Sequence, residues 1–406
     1  MTIVQIAMEQ GISSVLINAS GFLSTYSTGL TSITIEQVVM IILGLFFAYL
    51  SIGKKYEPLL LLPLSFGIIL ANIPEANLHA YAYNVTEYMG KDGEMVKVYE
   101  SAGLMTFLYQ GILRVIYPPM IFLCIGAMTD FGPLISNPRT ALIGLGGQLG
   151  IFVAFGGALL LGFYPEEAAS IGIIGSSDGP TSIYAASKLA PDLLPTIAIA
   201  AFSYMALVPF IQPPIMRLLT TKKEREVVMP APKEVTKTQK IIFPIAMTII
   251  VLMFVPTAGT LIGMLMLGNL IRESGVTGRY LETLQNAFLN ILTLLVALSI
   301  GASATADKFL TPVTLTIVFL GLIAFSFGTV GGILIAKLLY KISGGKINPL
   351  IGNSGVSAMP MAARISQKLG QKYNSQNHLL MHAMGPIVSS TILSAIVAGI
   401  FIALYL

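Results

Sequence analysis

The chain has 406 residues, of which 55% are hydrophobic and only 10% charged, with a mean hydropathy of +0.81. That balance excludes a water-soluble globule and places the chain in a bilayer. A formal net charge of +4 from 23 basic and 19 acidic residues is too dilute for a phosphate-binding surface, so no nucleic acid is expected as a partner.

One cysteine, Cys124, excludes an intrachain disulfide and any cysteine-based zinc site. The apolar segments are too long for the ~10-residue alternating strands of a membrane barrel, so the fold class is an all-α polytopic membrane protein. With no Trp, Tyr and Phe must form any interfacial belt.

In chain order, residues 1–34 are mixed, amphipathic and free of Lys and Arg, which suits an interfacial or extra helix better than a signal peptide. Apolar runs near 35–54, 57–73, 102–130, 140–163 and 193–217 follow. They make a first membrane unit, 35–217. The stretch 218–240 is a polar linker containing Pro230 and Pro232. Runs near 241–256, 257–272, 283–303, 309–340 and 377–404 make a second unit, 241–406.

Arg217, Lys222, Lys223, Arg225, Lys233, Lys237 and Lys240 surround that linker against only Glu224, Glu226 and Glu234, and the positive-inside rule puts it in the cytoplasm. Counting spans back then places Lys54 and Lys55 inside and the acidic loop 75–100 outside only if residues 168–190 enter and leave on one face. Counting forward demands the same of 347–370. Two re-entrant hairpins are therefore expected.

The hairpins also resemble each other. Aligning "IGSSDGPTSIYAAS" at 174–187 with "IGNSGVSAMPMAAR" at 351–364 carries Gly175 onto Gly352, a shift of 177 residues without a gap. Charge-based orientation runs each first-half span opposite to its counterpart, which predicts two inverted repeats of about five helices. Folds of that kind hold their cargo at the midplane, where the broken helices meet.

The first break encloses Gly175, Ser176, Ser177, Asp178, Gly179, Pro180 and Thr181, and Gly-Pro cannot continue a helix. Backbone freed at that depth must be buried in protein or line a wet cavity. An aspartate at the bilayer centre costs ~2.5 to 3.5 kcal/mol, so Asp178 needs a partner. A hard cation held by oxygens would serve, although Asp178 also stands where a helix N-cap would. The second break offers Asn348, Asn353, Ser354 and Ser357 with Gly355 opposite Asp178. One half brings charge and the other neutral oxygens, as one shared cation site would require.

Arg364 can attract an anionic substrate or simply snorkel to the cytoplasmic surface. Tyr204, in "SYMALVPFIQPP", can bond a carboxylate or merely pack. Gln212 and Gln285 are further buried polar candidates. His378 and His382 lack a third ligand and suit packing better than a metal. No Walker A or GxSxG sequence supports ATP or serine-hydrolase chemistry. On these residues alone, a sodium-coupled secondary transporter of a carboxylate substrate is the rival reading.

Six stretches carry a family resemblance: "CIGAMTDFGPLISNPRTALIG", "IGIIGSSDGPTSIYAASKLAP", "SYMALVPFIQPPIM", "GNLIRESGV", "INPLIGNSGVSAMPMAARISQ" and "LLMHAMGP". Together they resemble the membrane β subunit of the biotin-dependent, sodium-translocating decarboxylases. Only the stretch 74–101 shows no fixed pattern. The resemblance implies a translocase of the bacterial inner membrane that decarboxylates carboxybiotin, consumes a proton and exports Na⁺. It also implies a biotin carrier and carboxyltransferase subunit, a small membrane companion subunit, surrounding lipid and an oligomer.

Residue by residue, the resemblance makes Asp178, Tyr204, Ser357 and Arg364 functional, with Arg364 toward carboxybiotin. Asp178, Asn348, Gly352 and Ser357, with Ser177 beside them, become the Na⁺ set. Ser176-Ser177 replaces the Gly-Ala found in many members, which leaves the main ligands intact. The acyl donor of the partner subunit is not written in this chain.

Overall fold

The computed structural model describes residues 32–406 apart from 77, 81–82, 90–94, 102 and 232. Most of the expected N-terminal helix at 1–34 therefore lies outside the described residues. Among the described residues, six helices are long and apolar enough to cross a membrane, or up to eight if two bent pairs each count as one span.

The first pair is α1 (Ile35–Lys54), opened by a Thr34–Gln37 capping box, and α2 (Pro58–Ala71), which starts on a proline. A two-stranded antiparallel hairpin follows, β1 (Tyr83–Met89) with β2 (Met95–Ser101). The apolar run 102–130 is then not one rod. It forms α3 (Leu104–Leu113) and α4 (Tyr117–Met128), bent by 68°. Pro118 and Pro119 lie in the first turn of α4, where their missing N–H groups cost least and where they cannot extend α3.

Next come α5 (Gly132–Ser136), α6 (Ala141–Gly147) and α7 (Leu149–Leu160). Two short helices follow, α8 (Pro165–Ile173) and α9 (Gly179–Leu189). At 1.5 Å per residue they are roughly 14 and 17 Å long, so neither reaches across a ~30 Å hydrocarbon core. α10 (Leu194–Leu219) bends by 60° between Tyr204 and Leu207. Pro209 explains the site of the bend, since it cannot donate to the carbonyl four residues earlier.

After the one-turn α11 (Lys222–Arg225), the second unit holds α12 (Lys237–Phe254), α13 (Gly259–Ser274) and α14 (Gly278–Thr283). A π turn over Leu284–Phe288 leads into α15 (Leu289–Ser303), then α16 (Ala306–Phe309) and the long α17 (Pro312–Ile342). The chain breaks again at a 3₁₀ turn, Pro349–Gly355, before α18 (Met361–Tyr373) and α19 (Leu380–Tyr405).

Close backbone crossings hold the layers together. A side chain on Gly67 of α2 would collide with Leu298 of α15, and one on Gly126 of α4 with Leu265 of α13. Small residues allow such approach, and van der Waals packing is what associates helices in lipid. The first break lies on α7, Gly175 against Gly150, and the second on α17, Gly352 against Gly332 and Ile333. Gly328 of α17 in turn meets the Gly147 and Gly175 carbonyls. The first break therefore rests on α7 and the second on α17, and those two helices pack on each other.

Candidate functional site

The first break is built by local chemistry. α8 tightens into a 3₁₀ turn at Ile174–Ser176, Ser177 takes the left-handed conformation (φ 56°), and Asp178 is the extended N-cap of α9. Its Oδ1 accepts from the Thr181 N–H at 3.3 Å, so the capping expectation holds. Capping leaves Oδ2 free for something else. The Ser394 hydroxyl of α19 donates to it at 2.8 Å, and the residue is only 4% exposed.

The second break comes up against the first through the main chain. The Ser357 N–H donates to the Ser176 carbonyl at 2.8 Å, a direct main-chain bond between the two breaks. Ser357 Oγ contacts Ser390 Oγ at 3.1 Å, and Gln148 Nε2 donates to the same Ser390 Oγ at 3.1 Å. A cavity of about 310 Å³ lies here, its wall including Ser177, Asp178, Ser357, Thr391 and Met359. Among the described residues, Ser177 Oγ, Thr181 Oγ1 and Gln148 Oε1 are buried without a hydrogen-bond partner. Such atoms are uncommon in native interiors.

One carboxylate ringed by hydroxyl and amide oxygens can hold a hard monovalent cation, and the same carboxylate can take a proton instead. Asp178, Ser177 and Ser357 thus meet in one cavity. The other expected residues are placed elsewhere. Asn348 caps the 3₁₀ turn through the Leu350 N–H at 2.9 Å, and its Nδ2 donates to the carbonyls of Arg225 (3.1 Å) and Val227 (2.8 Å) in the linker. It does not line the Asp178 cavity, because the turn it caps separates it from Ser357. Gly352 is packed on α17, where Gly332 and Ile333 leave no room for a side chain.

Tyr204 is 3% exposed, donates to the Val318 carbonyl and lies over Gly321. Arg364 borders a separate cavity of about 250 Å³ with Lys55, Tyr56, Glu57 and Lys368. There burial pushes the Glu57 carboxyl above its usual range, against the opposing pull of Arg364. Gln212 pairs with Asn353, exchanging bonds of 2.9 Å with its carbonyl and amide.

Sequence reading missed Ser394, Ser390, Thr391 and Gln148. A signal for part of this set existed: Ser390 and Ser394 are four apart in one membrane span and so share a helix face.

The linker end is tied together by charge. Lys240 at the start of α12 lies 3.0 Å from Asp130, and Arg272 at the end of α13 donates to the Met128 carbonyl. Burial alone would raise the Asp130 carboxyl, but the Gly132 N–H and the Lys240 ammonium outweigh it and hold it below the usual carboxylate range.

Fold and site together define a multi-pass membrane protein with a buried carboxylate at the junction of two broken helices. Residues 36–405 match the model of the Na⁺-transporting oxaloacetate decarboxylase beta subunit, and the chain belongs to that family. It is 51% identical over 389 residues to the methylmalonyl-CoA decarboxylase subunit beta of Veillonella parvula, covering 96% of each chain. To the glutaconyl-CoA decarboxylase subunit beta of Acidaminococcus fermentans it is 49% identical, over 93% of this chain and 95% of the relative. The oxaloacetate decarboxylase beta chain of Klebsiella pneumoniae is 47% identical, over 92% and 96%.

Proposed function

We propose that this chain is the sodium-pump subunit of a biotin-dependent decarboxylase of the bacterial inner membrane, and that Asp178 is the residue where cation and proton exchange. Carboxybiotin, brought by a carrier and carboxyltransferase partner, takes up one proton and gives biotin and CO₂ while Na⁺ leaves the cell. A small membrane companion subunit and an oligomeric complex belong to the same reading. The observation that carries it is the Ser357 N–H to Ser176 carbonyl bond, which joins the two breaks beside the buried Asp178.

In this reading the two breaks are re-entrant hairpins of inverted repeats. Two observations support it. α8 and α9 are each too short to cross, and each break packs glycine against glycine on a neighbouring helix, the first on α7 and the second on α17. The basic linker marks the cytoplasmic end. Met128 ends α4, Leu289 begins α15 and Met384 lies in the first turns of α19, so the cavity wall reaches toward that end.

Ionised Asp178 holds one Na⁺ with Ser177 and Ser357 among the oxygens. A proton on the carboxylate removes the attraction and releases the ion, so one site serves two cations in turn. Asn348 and Gly352 position the second break rather than ligate, since the first grips the linker and the second seats the turn on α17. Tyr204 braces α10 against α17. Arg364, with Lys55 and Lys368 around one cavity, receives the anionic end of carboxybiotin.

The test uses the purified complex and free carboxybiotin in sealed vesicles. Wild type releases CO₂ and moves Na⁺ together; Asp178→Asn and Ser357→Ala lose both while the carboxyltransferase half-reaction is unchanged. An Asp178→Asn complex pumping Na⁺ at the normal rate ends the proposal.

A further inference from the structure

A second polar cavity lies at the opposite end of the molecule from the linker and shares no wall residue with the one at Asp178. Its volume is about 540 Å³, and its wall includes Asn72, His79, Thr305, Asp307 and Glu36. Two helix C-termini run into it: α2 ends at Ala71 with Asn72 as its C-cap, and α15 ends at Ser303 with Ala304 as its C-cap. Each terminus carries a partial negative charge from its unpaired carbonyls.

Asn72 is 1% exposed. Both protons of its amide are used, on the Ile68 and Ala304 carbonyls at 2.8 Å each, which fixes the orientation of the group, since a flipped amide would set oxygen against oxygen. Its Oδ1 is buried and has no partner among the described residues. Thr305 holds N-cap backbone geometry (φ −75°, ψ 150°) yet its hydroxyl caps nothing, and that oxygen is buried without a partner as well. His79 Nδ1 is a third such atom. Asp307 and Glu36 bring carboxylates to the exposed rim, where Lys308 also lies.

We propose that this cavity is a binding site for a small, partly hydrated hard cation such as Na⁺, held by Asn72 Oδ1 and Thr305 Oγ1 and attracted by the Asp307 carboxylate. Neutral amide and hydroxyl oxygens with a carboxylate are the donor set hard cations take. The converging helix C-termini add to the attraction, while the α1 N-terminus beside them is already closed by its own Thr34–Gln37 cap. The cavity is far larger than a bare ion, so water completes the shell. The site stands independently of the central one.

The experiment measures equilibrium binding of radiolabelled sodium to the purified complex carrying Asp178→Asn, with choline as a cation too large to compete. Saturable sodium binding remains in that background. Thr305→Val, which keeps the side-chain shape, and Asp307→Asn, at an exposed position, each weaken it about tenfold. Asn72→Leu is the more direct change but removes the clamp between α2 and α15 and risks misfolding, so the other two carry the test, each with elution of the intact complex as a check. No saturable binding in the Asp178→Asn complex, or residual binding that Thr305→Val and Asp307→Asn leave unchanged, overturns the proposal.

Discussion

The seat of the first break on α7 can be probed with two alanines on one helix. A methyl on Gly150 would lie 2.7 Å from the Gly175 carbonyl oxygen and 3.1 Å from the Gly328 Cα, with the Ala324 carbonyl closer still. Those neighbours are all backbone, and ordinary contact begins near ~3.5 Å. A methyl on Gly156, less than two turns along the same helix, meets nothing within 4 Å. Replacing a helical glycine by alanine is worth up to ~1 kcal/mol to the helix in both cases, whereas overpacking costs about 1 to 3 kcal/mol.

Gly156→Ala should therefore leave the melting temperature of the purified complex unchanged or slightly raised. Gly150→Ala should lose up to a net ~2 kcal/mol after the full helix gain is subtracted. Because Gly175 must retreat, Asp178 moves with it, and the Na⁺ concentration giving half-maximal CO₂ release should rise as well. Calorimetry and Na⁺-dependent CO₂ release read the two effects separately. Equal behaviour of the two alanines in both assays would refute the argument that this backbone contact sets the cation site.

Three further outcomes follow from hydrogen bonds and charge. Ser394→Ala removes the buried donor 2.8 Å from Asp178 Oδ2 and should cost about 1.5 to 3 kcal/mol, read as a fall in melting temperature at fixed Na⁺; no fall would mean the bond contributes nothing. The depressed Asp130 carboxyl stabilises the fold above the ordinary carboxylate range, and that contribution disappears as pH falls through its lower folded value. The melting difference between wild type and Asp130→Asn should thus be steady from neutral to mildly acid pH and shrink below about pH 4; a difference that grew on acidification would reverse the sign. Finally, Asn348, Asn374 and Asn377 each donate to linker carbonyls at Arg225–Val227. Asn348→Ala combined with Asn377→Ala should speed tryptic cleavage at Lys222–Arg225, and an unchanged cleavage rate would show the linker held by other means.

Much of this molecule is written in local pattern. α1, α2, α12, α17 and α19 fall where continuous apolar runs put them, because a span needs little more than length and composition. The two breaks were legible for different reasons: Gly179-Pro180 cannot prolong a helix and an aspartate between apolar flanks needs a partner, whereas the second break followed from the charge-based count of spans and its likeness to the first. The bend between α3 and α4 was harder to see, since Arg114, Pro118 and Pro119 are only a short interruption in a run that is apolar on both sides. The β1–β2 hairpin lies in the one loop without a motif.

Within the site, Ser177, Asp178 and Ser357 came together as their spacing implied, whereas Ser394 and Gln148 did not announce themselves. Hydroxyls in apolar helices usually bond a carbonyl on the preceding turn, as Ser299 does to Leu295, so Ser394, which lies 3.0 Å from the Thr391 carbonyl but also 2.8 Å from a carboxylate 216 positions away, looks the same in sequence. Asn348 shows a second kind of hidden contact: its Nδ2 donates to the Arg225 and Val227 carbonyls of the linker and its Oδ1 accepts from the Leu350 N–H, partners that only the folded chain reveals.

The tie between the two breaks consists of main-chain atoms on both sides. Every amino acid except proline supplies that N–H and every residue supplies that carbonyl, so hardly any point mutation can delete it. Drift in such a protein can rewrite the side-chain oxygens around Asp178 while the frame that locates them passes unaltered from sequence to sequence. If those oxygens hold the cation as proposed, variants with changed ion choice should be sought among the hydroxyl-bearing positions, not in the main-chain tie.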